Sequence, residues 1–360
     1  MIVHQVLSGA GPVDAVTAQA LAFRERFAAW GWGGRDVAAR VDPRVAGRVA
    51  PLASLDPAPA DLLLVHYSAY APRLRGVLER PNRTLLLSHN VTPARWLWDH
   101  DAQAAVQCAL GRRQLPRYAE AADLAAGVSA YNAAELGSDV VIPVLFDADR
   151  WGAPLEGEPP EPPTVLFVGR LAPHKRQDEV IRAFALLRRR HAPEARLVLV
   201  GEPINPAYRA ALAGLAEQLA PGAVTIESGL TAEALADRYR AAHAFLCLSE
   251  HEGFCIPLLE AFHFGVPVVA RPAGGIPEVA GDAALLVRDR DLGVVAEALW
   301  LALSDGELRA ALRERGRARL AAYAPEETAA KLRAALERLA AMPVPAPRDA
   351  LDADRRVGDA

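Results

Sequence analysis

The chain has 360 residues, 52% hydrophobic and 23% charged, with a formal net charge of −4. That composition fits a folded globular protein of about two domains and gives no reason to expect a nucleic-acid partner. Three cysteines, Cys108, Cys247 and Cys255, are too few and too scattered for a disulfide framework or a zinc site.

The N-terminal stretch MIVHQVLSGAGPVD has no basic region and no long apolar run, so no signal peptide is expected. No window is apolar enough to span a bilayer, and the expected localisation is cytoplasmic. Residues 2–7 read as a first strand, followed by a loop holding Gly9 and Gly11 and a helix over 16–30. Strand, glycine loop and helix suggest a Rossmann-like half, although a lone Gly-x-Gly is weak evidence for nucleotide binding. Phe23, Phe27, Arg24 and Arg26 form either a membrane-facing side of this helix or, more simply, an amphipathic face packed on a sheet. Peripheral association with the inner face of the cell membrane therefore stays open. Residues 61–66 (DLLLVH) and 84–89 (TLLLSH) are apolar runs suited to parallel strands covered on both faces. Each ends in a histidine, His66 and His89, where ligands of such sheets bind. Residues 92–117 carry Trp96, Trp98, Arg95, Arg112, Arg113 and Arg117, readable as an acceptor wall or as a helix with a solvated basic face. Two last strands, 123–129 and 139–145, flank a short helix over 130–136.

Residues 153–163 (APLEGEPPEPP) read as a stiff, solvated linker. A strand over 164–168 follows, then Gly169, Arg170 and Lys175 before a helix over 177–191. Glycine and two cations ahead of a helix make a phosphate-binding layout. Only Lys175 and Lys331 are lysines in an otherwise arginine-based chain. A strand over 195–201, a helix over 208–219 and a strand over 224–227 precede Ser228-Gly229-Leu230, a candidate wall for a nucleotide base. Thr231 caps a helix running to about residue 241. The stretch 244–287 holds two strand–loop–helix units: strands at 244–248 and 266–270, with helices opening near Pro257 and Pro277. Glu252 lies before the first of these helices and Glu260 on it. Helix N-termini attract phosphates, and carboxylates accept hydrogen bonds from ribose or sugar hydroxyls. Together they describe a nucleotide-sugar ligand, against the simpler reading of two solvated glutamates. Helices are expected over 292–302, 306–322 and 326–339.

Glu252-Gly253-Phe254-Cys255-Ile256-Pro257-Leu258-Leu259-Glu260 resembles the E-x7-E motif of retaining family 4 glycosyltransferases. Gly265-Val266-Pro267-Val268-Val269-Ala270 and Gly274-Gly275-Ile276-Pro277-Glu278 resemble the same family. Gly169-Arg170 through Lys175 is similar to its G-R-x4-K segment, with Arg176 where many members have glycine. The resemblance is dense in the second half and patchy in the first. It implies an α/β protein of GT-B architecture, two Rossmann-like domains facing a central cleft. The implied boundaries are an acceptor-side domain over 1–152, linker 153–163, a nucleotide-sugar domain over 164–322, a helix over 323–342 crossing back, and a disordered tail 343–360. The implied activity is retaining transfer of a sugar from a nucleotide-diphosphate sugar to a glycan or lipid-linked sugar acceptor. In the roles carried over, Arg170 and Lys175 neutralise the diphosphate, Glu252 binds the donor sugar and Glu260 the ribose. Backbone N–H groups near Gly253 and Phe254 complete that pocket. Gly9 and Gly11 approach diphosphate and acceptor, and His89 contacts the transferred sugar; His66 is a weaker candidate for the same contact.

No cofactor and no required metal are expected. Asp-x-Asp pairs occur at Asp99/Asp101, Asp147/Asp149, Asp289/Asp291 and Asp352/Asp354, but 44 acidic residues produce such pairs by chance. The rival readings are a nucleotide-sugar epimerase and a non-catalytic nucleotide-sugar-binding protein. A dinucleotide oxidoreductase is disfavoured, because no G-x-G-x-x-G follows a strand.

Overall fold

The computed structural model describes residues 1–12 and 14–345. Asp352, Asp354 and most of the expected tail lie outside the described residues. The chain separates into two compact units. The first comprises Met1–Pro93, Val106–Leu145 and the described part of Glu326–Ala360; the second comprises Ala94–Ala105 and Phe146–Pro325.

The first unit is built on six strands: β1 (Val3–Leu7), β2 (Asp36–Ala38), β3 (Ala50–Pro51), β4 (Leu62–Tyr67), β5 (Arg83–Ser88) and β6 (Leu124–Gly127). They lie in the order β3-β2-β1-β4-β5-β6, every pair parallel. The second unit has β7 (Thr164–Val168), β8 (Arg196–Val200), β9 (Val224–Glu227), β10 (Ala244–Cys247), β11 (Val268–Ala270) and β12 (Ala284–Leu286). Their order, β12-β11-β10-β7-β8-β9, repeats the first pattern, again all parallel. Parallel strands need covering on both faces, which explains the unbroken apolar runs. Leu62 to Val65 and Leu85 to Leu87 are at most 1% exposed.

This order reverses direction beside the first strand of each unit. Such a switch point opens a crevice beyond the carboxyl ends of the two strands involved. In the first unit those strands are β1 and β4, in the second β7 and β10. The loops leaving these ends carry most of the candidate residues.

Two expectations need correction, and of two open readings of the first helix the simpler one holds. Residues 139–145 do not form a strand: Val141 makes a single bridge with Gly127. Pro143 has no N–H to continue a ladder. Strands β2, β3 and β12 were not expected; at three, two and three residues they are too short to show a period. The helix Ala15–Ala29 offers no membrane face through its phenylalanines. Phe23 and Phe27 are fully buried, and Arg24 is bound to Asp36 at 2.7 Å. Among the described residues no helix is long and apolar enough to cross a membrane.

The helix Pro325–Ala341 ends the described chain. From Glu326 on it belongs to the first unit, where Arg333 lies over the Trp30 and Trp32 rings at 5.5 and 5.8 Å.

Candidate functional site

In the second unit the site starts at the end of β7. Arg170 is exposed, and its guanidinium makes no hydrogen bond or ion pair among the described residues. One turn of 3₁₀ helix, Pro173–Lys175, follows, and then the helix Gln177–Arg190. Lys175 Nζ donates to both Glu252 oxygens at 2.6 Å. Glu252 comes from the loop after β10, so this pair joins the two strand ends at the switch point. Burial disfavours the Lys175 ammonium, but the Glu252 carboxylate, helped by Cys255 and Cys247, outweighs it and raises its pKa. His174 is buried, and burial followed by the nearby Lys175, His251 and Arg170 holds it down to about 2. It is therefore neutral, and the positive charge of this loop sits on Arg170 and Lys175.

The Gly274–Gly275 turn fixes the Glu252 backbone. Gly275 N donates to Glu252 O at 3.0 Å. A Cβ on Gly274, at φ +56°, would stand 2.0 Å from that same oxygen, so only glycine fits. From the other side Arg271 donates to Leu248 O at 2.9 Å and to Glu179 at 2.6 Å. Sequence reasoning missed Arg271, whose only signal is an arginine directly after an apolar strand.

The helix Ile256–His263 starts two residues after Phe254, with Pro257 in its first turn as expected. Its cap residue Cys255 provides no side-chain hydrogen bond to the helix's first turn. Phe254 is buried, edge-on to Tyr323 at 5.4 Å. Glu260 is buried and accepts from Tyr239 Oη at 2.5 Å. Burial pushes its pKa up to about 7, against the pull of the tyrosine hydrogen bond. Tyr239 was also missed, because no local pattern shows that its hydroxyl meets a carboxylate.

One metal-capable set occurs among the described residues: Cys247, Glu252 and Cys255, with ligand atoms within 4.8 Å of one another. Lys175 already engages both Glu252 oxygens, which disfavours a cation there.

In the first unit His89 follows β5, half-buried. Its Nε2 lies 2.9 Å from His66 Nδ1, and the two rings stack at 5.1 Å. Gly9 and Gly11 follow β1; Gly11 N donates to Thr17 Oγ1 at 3.1 Å. Trp98 is half exposed in the second unit, whereas Arg112, in the first, is tied to Val91 O and Glu135.

Backbone strain marks these positions independently. The described non-glycine residues with positive φ are Asn90 (80°), Arg176 (55°) and Cys255 (76°). They directly follow His89, Lys175 and Phe254. Such conformations cost roughly 1–3 kcal/mol each and collect where function demands them. Arg176 thus holds a left-handed backbone of the kind that favours glycine, and Glu179 and Glu250 hold its side chain.

The fold is that of a GT-B protein, two doubly wound units, with an ion-paired cluster at the switch point of the second. Over 94% of its length the chain superposes on sucrose-phosphate synthase from Thermosynechococcus elongatus (98% of that chain, TM-score 0.73, 21% identity). Residues 154–319 match the family described as glycosyl transferases group 1. A D-inositol 3-phosphate glycosyltransferase from Nocardia farcinica is 37% identical over 164 residues, 44% of this chain and 36% of that protein. A GDP-mannose-dependent alpha-(1-6)-phosphatidylinositol monomannoside mannosyltransferase from Mycolicibacterium smegmatis is 34% identical over 165 residues, 43% of this chain and 42% of that protein. The chain therefore spans well under half the length of these curated relatives.

Proposed function

We propose that the chain is a retaining glycosyltransferase of family 4 that uses a nucleotide-diphosphate sugar and needs no metal. The observation that carries this reading is the cationic pair at the second switch point, where the Arg170 guanidinium makes no hydrogen bond or ion pair among the described residues and Lys175 is held by Glu252. In the reaction the bond from the anomeric carbon to the diphosphate breaks. An acceptor hydroxyl oxygen bonds to that carbon on the same face and passes its proton to the departing diphosphate. Negative charge grows on the diphosphate, and Arg170 and Lys175 stabilise it; removing one such group typically costs ~10²–10³ in rate. Glu252 accepts from donor-sugar hydroxyls while keeping Lys175 in place, and Glu260 accepts from the ribose. Backbone groups around Gly253 and Phe254 border the sugar. Gly9 and Gly11 leave room for the ligand, and His89 meets a sugar hydroxyl.

The relatives' names support a phosphorylated polyol or a lipid-linked sugar as acceptor, with GDP-mannose the first donor to try. Action in the cytoplasm, at or near the membrane surface, fits such acceptors. The test is a thermal-shift screen with UDP, GDP and ADP, followed by transfer assays with the matching sugar nucleotide and NMR assignment of the product anomer. A bound nucleotide raises the melting temperature by mass action. An inverted anomer would remove the retaining assignment. Conversion of donor without acceptor would indicate an epimerase, and binding without turnover a non-catalytic protein. Activity lost in EDTA and restored by Mg²⁺ or Mn²⁺ would overturn metal independence.

A further inference from the structure

Behind His89 runs a buried file of hydrogen bonds whose donors and acceptors fit together in one way. Asp36 is held by Arg24, and an ionised carboxylate only accepts. Ala20 O also only accepts. Both receive hydrogen bonds from Gln5 Nε2, at 2.8 and 2.7 Å. Those two bonds use both protons of the amide. Gln5 Oε1 therefore faces His66 Nε2, at 2.9 Å. Turning the amide over would press its oxygen against two other oxygens in a site where Gln5 and His66 are 0% exposed.

An amide oxygen needs a donor, so His66 carries its proton on Nε2. Burial and then His89 hold His66 well below the usual histidine range, which keeps it neutral. Its Nδ1 is thus a lone pair, and the His89 Nε2 opposite it at 2.9 Å must donate. Burial lowers His89 to about 3, so that ring too is neutral. Its Nδ1 is left as an acceptor, with no hydrogen-bond partner among the described residues. The order of protons follows from donor and acceptor chemistry along the file.

We propose that Gln5 and His66 are positioning residues that lock His89 in its Nε2–H tautomer, so that it meets its ligand only by accepting a hydrogen bond from a hydroxyl. The ligand part of this statement rests on reading His89 as a sugar contact; the tautomer part does not. A sugar whose hydroxyl there is replaced by hydrogen or fluorine offers no donor and is rejected. Relaxing the file is expected to lower turnover by roughly tenfold to a hundredfold, the scale known for partners that orient metal-bound histidines.

The decisive measurement needs no ligand. In ¹⁵N-histidine-labelled protein at about pH 7, long-range ¹H–¹⁵N correlations separate the two neutral tautomers and the cation. Among the nine histidines, His66 and His89 are expected as pure Nε2–H forms. Gln5→Met, similar in length but without hydrogen-bonding groups, is expected to bring averaged tautomers at both rings. His66→Phe is expected to do so at His89, and serves alone should Gln5→Met fail to fold. An Nδ1–H or doubly protonated His89 in the native protein overturns the proposal. So does a folded variant in which His89 stays wholly Nε2–H. Absence of glycosyl transfer, with these tautomers as described, would instead discard the reading of the ligand and leave the file standing.

Discussion

The two units share one strand order and put opposite chemistry at corresponding places. Beside β1 and β4 the file leading to His89 ends in two rings that burial keeps neutral. Beside β7 and β10 the groups are ionic: Lys175 against Glu252, Arg271 against Glu179. Topology decides where a crevice opens; the side chains at its rim decide what it holds. A neutral, oriented acceptor suits selection of a hydroxyl. An ion-paired cluster suits a charge that grows during reaction. On the proposed function, discrimination would fall to the first unit and charge stabilisation to the second.

The largest test of that division is the Lys175–Glu252 pair. Lys175→Met should lower turnover by ~10²–10³. Either single change, Lys175→Met or Glu252→Gln, also strands a charge in a site where the two side chains are 18% and 9% exposed. Breaking a buried pair in this way typically costs about 3–5 kcal/mol. The double variant should regain much of the stability, by urea melt, and none of the turnover. A double variant that recovered turnover would make the pair purely structural and erase the contrast.

The pH dependence of stability should differ in sign between Glu260 in the second unit and His66 in the first. Glu260 is raised from its ordinary 4.5 to about 7, so the folded protein binds more protons than the unfolded chain between those values. Its penalty is absent below about 4.5 and complete above about 7, reaching roughly 3 kcal/mol. Wild type should lose stability relative to Glu260→Gln as pH rises through that window. His66 is depressed below its ordinary 6.5, so the unfolded chain binds more protons as pH falls under that value. Relative to His66→Phe, wild type should therefore lose stability as pH falls from 6.5. Denaturation midpoints across this range check both, and parallel curves would remove the difference.

The contrast was unevenly legible in the sequence. The second unit announces itself locally, because Glu252, Gly274 and Lys175 stand in short motifs whose spacing reflects backbone constraint. The file in the first unit joins residues 5, 36, 66 and 89, which meet only through strand pairing of β1 with β2 and β4, and of β4 with β5. Its local traces are the two histidines that end apolar runs and a glutamine inside an apolar strand, VHQVL; nothing local links them. Tyr239 against Glu260 left no trace, since a helix and a strand-end helix come together only in the folded unit.

The smallest expected effects fall on the glycines, and they separate packing from ligand approach. Gly274→Ala should lower stability by more than about 1 kcal/mol, because its left-handed backbone leaves no room for a side chain. It should also reduce turnover by moving Glu252. A Cβ on Gly11 would meet nothing within 4 Å, one on Gly9 only Arg40 O at 3.9 Å, and neither residue has positive φ. Alanine there should leave the melting temperature within a degree or two, since such a change removes no contact and adds no strain. If these glycines keep space for the ligand, donor affinity or acceptor KM must nevertheless weaken several-fold. Two alanines that alter neither stability nor kinetics would show that this loop only turns the chain, and the ligand-selecting role of the first unit would rest on His89 alone.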